Sequence, residues 1–185
     1  MMLLDKFVRY WRVRVALKNR PILMRNVFDI GCDDGYLLQK LSHITNRQDG
    51  VDPRLNTSSV GHNSEIKKSF FPAAVEDYQM QGEYDAIFAL AVFEHFSERD
   101  IRQSASVIAR MLSPEGRLII TVPHPFVDKI LDVLIFLHLI DGQALHEHHG
   151  FDPDSLLTYF SGSLRLVKRG RFQFGLNNIF VFERV

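Results

Sequence analysis

The run Val27-Phe-Asp-Ile-Gly-Cys-Asp-Asp-Gly35 constrains this chain more tightly than any other stretch in it. A short apolar segment ending in an acid and two glycines reads as a buried strand, a tight turn and the start of a helix. Open α/β sheets build a nucleotide-sized crevice from that unit, at the carboxyl end of the first strand. Gly31 and Gly35 supply backbone conformations closed to other residues and let a ligand come up to the main chain. Gly50-Val-Asp52-Pro53 reads as the end of a second strand, with Asp52 where a carboxylate accepts both hydroxyls of a ribose. Two such sites, one helix apart, point to an adenosine-type ligand.

Asp29-Ile-Gly-Cys-Asp-Asp-Gly35 resembles the first motif of class I S-adenosylmethionine-dependent methyltransferases, an acid followed by three spaced glycines, and Asp52 stands where that family keeps its ribose acid. Tyr84-Asp-Ala-Ile-Phe-Ala-Leu-Ala-Val-Phe-Glu-His95 is similar to the family's fourth strand with its Leu-Glu-His ending. Arg110-Met-Leu-Ser-Pro-Glu-Gly-Arg-Leu-Ile-Ile-Thr-Val-Pro123 resembles its Arg-x-Leu-x-Pro-Gly-Gly turn and fifth strand. Blocks in the right order and spacing are far more specific together than singly.

The resemblance, to the small-molecule, type 11-like branch, implies a three-layer α/β/α Rossmann-like fold. Its seven-stranded, mostly parallel sheet runs 3-2-1-4-5-7-6 with an antiparallel C-terminal hairpin strand. It implies S-adenosylmethionine as cofactor and S-adenosylhomocysteine as product. Carried over position by position, Gly31, Cys32 and Gly35 approach the methionine end through backbone atoms, and Asp29 holds the loop or receives the ammonium. Asp52 takes the ribose. Backbone at Val75 and the carboxylate of Glu76 serve adenine, and the carbonyls of Ala89 and Leu90 receive the ammonium.

One departure stands out: the family's middle glycine is Asp33 here. An extra carboxylate in the loop facing the methionine part suits a cationic sulfonium and ammonium and repels a pyrophosphate. That argues against a nicotinamide dinucleotide, as does the missing Gly-x-Gly-x-x-Gly.

At 185 residues, 46% hydrophobic, with 22 basic and 22 acidic side chains, the chain suits one well-buried domain. A net charge of zero gives no overall pull toward a phosphate backbone, so nucleic acid is disfavoured as a partner. The single Cys32 suits a reducing cytoplasm, and Asp5, Lys6 and Arg9 interrupt any signal-peptide pattern. The apolar run at 130–140 is about half the length of a bilayer span and contains Asp132 and His138. It reads as a buried helix or as a segment covering the substrate.

Periodicity predicts strands near 27–31, 50–52, 67–71, 86–90, 117–122, 163–167 and 178–183, with helices between most of them. The last two lack room for a helical crossover and pair as a hairpin. Ser97 caps a helix, Pro114-Glu-Gly116 stops it, and Asp152-Pro-Asp opens another. The expected layout is a single domain over 1–185. Within it lie an N-terminal helical segment (1–26), a cofactor-binding core (27–123), a covering and acceptor-site segment (124–160) and a C-terminal hairpin (161–185).

Methyl transfer from a sulfonium needs alignment above all, and a base only where the acceptor must lose a proton. His95 is a candidate base, a substrate contact or a structural helix-start residue. His146-Glu-His-His149 offers His146 and His149 as bases near neutral pH, against a solvated loop or zinc ligands, of which zinc is the weaker reading. Basic residues Arg9, Arg12, Arg14, Lys18 and Arg20 interleave with Phe7, Tyr10, Trp11, Val13, Val15 and Leu17. That segment meets anionic lipid or a phosphorylated acceptor, or packs over the cleft with its charges in water. Two functions survive: a small-molecule methyltransferase acting on a hydroxyl of a sugar, lipid-linked or other metabolite, and a methyltransferase-like binding or regulatory protein.

Overall fold

Strand β1 (Asn26–Ile30) is buried on both faces, and the architecture follows from that. A strand with apolar side chains pointing both ways needs a layer of helices on each side. The computed structural model describes residues 3–54, 64–67, 84–125 and 151–184. In chain order these form α1 (Leu3–Leu17), β1, α2 (Tyr36–Leu41), β2 (Arg47–Val51), β3 (Ser64–Lys67) and β4 (Tyr84–Leu90). A 3-10 turn (Phe93–His95) follows, then α3 (Glu98–Met111), β5 (Leu112–Pro123), α4 (Ser155–Phe160), β6 (Leu164–Phe172) and β7 (Asn177–Arg184).

The seven strands form one sheet ordered β3-β2-β1-β4-β5-β7-β6. Strands β3, β2, β1, β4 and β5 run parallel, while β7 is antiparallel to both β5 and β6. The order and the reversed strand agree with the expectation. So does the three-layer arrangement, which the two-residue alternation of strand side chains makes visible. Phe28, Ile30, Ile87, Ala89, Leu118, Ile120, Phe180 and Phe182 face one core, covered by Ile101, Ala105, Ile108 and Met111 of α3 and by Leu156 and Phe160 of α4. Val27, Phe88, Ile119, Ile179 and Val181 face the other, covered by Val13 and Ala16 of α1 and by Leu37, Leu38 and Leu41 of α2.

Helix ends follow local chemistry. Ser97 Oγ accepts the Asp100 amide at 3.2 Å, capping α3 as the sequence suggests. Helix α3 ends at Met111 with Leu112 as its C-cap, within a residue of the expected end ahead of Pro114, and β5 starts directly at Leu112. The Asp152 carboxylate accepts the Asp154 amide at 2.9 Å in the turn that opens α4.

Several strand boundaries differ from the periodicity: β5 begins five residues before the expected 117, and β6 ends five residues after the expected 167. Strand β3 lies at Ser64–Lys67, where 67–71 was expected; residues 68–71 lie outside the described set. Strand β2 starts three residues earlier than expected, because Gln48 and Asp49 are polar yet buried. Their partners make that tolerable. Gln48 donates to Thr45 Oγ1 at 2.8 Å, and Asp49 accepts from the Tyr84 hydroxyl at 2.6 Å and pairs with Arg47 Nε at 2.6 Å. Tyr84→Phe strips a charged acceptor of a buried donor. The variant is expected to lose about 1–3 kcal/mol of stability in urea denaturation, against a negligible change if the bond contributes nothing.

Candidate active site

The turn after β1 turns on three left-handed residues: Gly31 (φ 74°), Asp33 (φ 45°) and Gly35 (φ 72°). Gly31 also needs the missing side chain, since a Cβ there would lie 2.3 Å from Val92 Cγ2. Asp33 explains how the glycine motif survives its substitution. Aspartate is one of the few non-glycine residues that enters the left-handed region readily, so the turn keeps its path. The Gly31 and Cys32 amides both donate to the Val51 carbonyl, at 2.8 and 3.2 Å, which ties the turn to the end of β2.

Asp52 completes that tie. Its buried carboxylate accepts the Asp33 amide at 3.0 Å and the Arg54 amide at 2.7 Å. The glycine turn and the Asp52 carboxylate thus converge on one place. The Asp33 side chain points elsewhere. It is 69% exposed and lies 3.8 Å from Arg9 Nη1, so the extra carboxylate of the loop is turned toward α1. Arg9 does more: its Nη1 sits 2.8 Å from both carboxylate oxygens of Asp34, and its guanidinium lies 4.3 Å above the Tyr36 ring. Helix α1 therefore holds both acids of the turn outward.

Asp29 is buried beside this turn, and burial, reinforced by Asp52, holds its carboxyl well above the usual carboxylate range. Cys32 is buried too, against Gly50, where an added Cβ would meet its Sγ at 3.0 Å. Burial first, then Asp29 and Asp52, push its thiol above the ordinary range, so Cys32 is a neutral packing residue. Ala89 is buried at the end of β4 and Leu90 half-buried. Beyond them Ala91 takes φ 59°, an outlier for alanine, and swings Val92 over Gly31.

His95 is exposed on the 3-10 turn. Its neighbour Glu94 is buried, and sequence reasoning passed it over. Among the described residues one oxygen, Oε2, has no hydrogen-bond partner, and neither has Nε of Arg12 on α1. Burial raises the Glu94 carboxyl from its ordinary 4.5 to about 7, against the lowering effects of its own backbone amide and of Arg12. Burial lowers the Arg12 guanidinium, with Glu94 acting the other way. The signal was present: an acid between Phe93 and His95, at the carboxyl edge of a buried parallel strand. Of the other candidates, Val75, Glu76, His146 and His149 lie outside the described residues. Among the described residues no group of three His, Cys, Asp or Glu is placed to hold a metal ion.

A family profile described as a methyltransferase domain matches residues 5–164. The chain belongs to the methyltransferase domain family. Solved structures place the fold in the same company. The N-methyltransferase NodS from Bradyrhizobium japonicum WM9, in complex with S-adenosylhomocysteine, superposes with a TM-score of 0.66 at 14% identity, over 97% of this chain and 87% of that one. A TehB-like S-adenosylmethionine-dependent methyltransferase from Corynebacterium glutamicum does so with a TM-score of 0.66 at 14% identity, over 98% and 97%. None of the curated proteins matches the chain.

The methyltransferase is S-adenosylmethionine-dependent, and the residues present fit that cofactor. Asp29 and Asp52 are two buried acids that repel one another, the arrangement a cationic ligand relieves.

Glu94 makes stability fall with pH. The folded state keeps the proton up to about 7, whereas the unfolded carboxyl releases it near 4.5. Stability contributed this way is full at low pH and declines as pH rises between those values. Glu94→Gln is expected to flatten that decline and to exceed the parent by on the order of 2–3 kcal/mol above neutral pH in urea melts. Identical pH profiles in the two proteins would refute it.

Proposed function

We propose that the protein transfers the methyl group of S-adenosylmethionine to a hydroxyl of a small sugar, lipid-linked or other metabolite. The observation that carries the reading is the convergence of Asp29, Asp52 and the glycine turn while Asp33 is turned away toward Arg9. Asp52, already oriented by two amides, takes the ribose hydroxyls with its remaining lone pairs. Asp29 and the Ala89 and Leu90 carbonyls lie where the ammonium is received. Val75 and Glu76 are assigned to adenine.

When bound, the cofactor supplies a methyl group already activated by its positive sulfur. The chain's own work is alignment, worth on the order of 7–11 kcal/mol, and removal of the acceptor proton. Glu94 is proposed as the group that takes this proton: its unpartnered Oε2 accepts from the acceptor hydroxyl, and a carboxyl near 7 is poised for exchange at neutral pH. Arg12 then balances the carboxylate and orients the acceptor. His95, exposed beside Glu94, is proposed as an acceptor contact, with His146 and His149 as further acceptor-side bases. This reading differs from a binding-only relative in requiring both cofactor affinity and a titrating base.

Calorimetry tests the first requirement. S-Adenosylmethionine is expected to bind the parent at micromolar concentration, with Asp52→Asn weaker by tenfold to about a hundredfold, each lost charged hydrogen bond being worth roughly 1.5–3 kcal/mol. Equal affinity in the two proteins, or no binding at millimolar ligand, rejects the assignment. Release of S-adenosylhomocysteine across a panel of hydroxyl and amine acceptors tests the second. Turnover is expected with hydroxyl compounds, with a rising pH limb centred near 7. In Glu94→Gln it is expected to fall by about 10²–10⁴ and to lose that limb. Turnover restricted to amines, or a limb that persists in the variant, counts against it.

A further inference from the structure

The basic and aromatic face of α1 takes no part in cofactor chemistry. At 100° per residue, Phe7, Trp11 and Arg14 share one side of the helix, with Tyr10 on its flank and Lys18 just past the helix end, away from the Val13 and Ala16 side that packs into the core. Phe7 and Tyr10 are 54% and 49% exposed. Phe7 meets Trp11 edge to face at 5.6 Å, and Trp11 meets Phe174 in the same way at 5.6 Å. Phe174 is 93% exposed, at the tip of the turn between β6 and β7.

That tip follows the left-handed path of a tight hairpin turn and is pinned to α1. Gln173 and Phe174 take φ of 52° and 57°, a left-handed conformation costing roughly 1–2 kcal/mol per residue. The Gln173 side chain anchors the turn by donating to the Val8 carbonyl at 2.8 Å and accepting from Asn177 at 2.6 Å. The turn lies at the carboxyl end of β5, where the His124 amide donates to the Leu176 carbonyl at 2.8 Å. That is the edge of the sheet that carries the glycine turn and Glu94.

A second observation comes from the other flank of the same face. An open groove of about 470 Å³ runs between α1 and α2. Arg14, Lys18, Arg20 and Lys40 line it together with Tyr10 and Tyr36, over an aliphatic floor, and among the described residues no carboxylate lines it. In a chain of zero net charge, four cations on one apolar-floored groove are a segregated positive site.

We propose that this face docks the protein on an anionic membrane surface, with Phe7 and Phe174 entering the interface and the α1–α2 groove receiving a lipid phosphate. Aromatic wedges beside basic side chains are the composition that interfacial helices use. The rings meet edge to face at a rim, a wedge and not the row of parallel faces on which nucleic-acid bases stack. Among the described residues no helix is long and apolar enough to cross a membrane, so the contact is peripheral. It holds whatever the acceptor is, and it brings the crevice edge close to lipid.

Vesicle sedimentation of the whole chain tests this, with phosphatidylcholine alone or mixed equally with phosphatidylglycerol. Partition is expected on the mixed vesicles, falling with added salt, with a blue shift in emission from Trp11, the single tryptophan. Lys18→Ala and Lys40→Ala are each expected to lower partition roughly fivefold, and Phe174→Ala tenfold or more. Thermal melts of these exposed-site variants are expected to match the parent, which separates lost binding from lost folding. No partition on mixed vesicles overturns the proposal, as does partition unchanged in all three variants. So does a Trp11 response to free glycerol phosphate or to oligothymidylate with the vesicles inert.

Discussion

A buried carboxylate holding a backbone amide is the interaction on which the rest of the structure leans. Asp52 accepts the Asp33 amide, and the Val51 carbonyl beside it accepts those of Gly31 and Cys32. The end of β2 thereby fixes the path of the turn after β1. Without that tie, three left-handed residues in a row of five would have little to keep them in place, and Asp33 could not stand in for glycine. The same tie puts Asp52 and the glycine turn within one hydrogen bond of each other.

Charge at this edge is divided by burial. Asp29 and Asp52 are inside and mutually repulsive, leaving a demand for positive charge in the crevice. Asp33 and Asp34, next door in sequence, are outside and answered by Arg9 of α1. One helix therefore clamps the turn, supplies Arg12 opposite Glu94, and turns its remaining basic and aromatic face to solvent. Four acids close together in space divide by environment: Asp29 and Asp52 are enclosed by the sheet edge, while Asp33 and Asp34 meet the Arg9 guanidinium at the surface.

The fold was legible wherever the pattern was apolar. Strands β1, β4 and β5 carry their own signal, and the hairpin of β6 and β7 followed from a connection too short for a crossover. Strand β2 was harder because Arg47-Gln-Asp-Gly is polar, and its burial is made possible by partners at Thr45 and Tyr84 that no local pattern reveals. The turn that joins β1 to the end of β2 was legible in Asp29, Gly31, Gly35 and Asp52. The burial of Glu94 was not: His95 drew attention as a titratable residue, yet Glu94 is the buried one, since a single step along the 3-10 turn exchanges core for solvent.

By itself the sequence determined the apolar strands, the terminal hairpin and the acid-glycine turn, because strand periodicity and glycine's conformational freedom are properties of a short stretch of chain; the order of the sheet followed only from the family resemblance. Only the tertiary structure decided which way each acid faces. The outward turn of Asp33, the burial of Glu94 opposite Arg12 and the joining of Trp11 to Phe174 bring together groups from distant parts of the chain. Desolvation and Coulomb terms depend on those distances in space, and local sequence does not encode them.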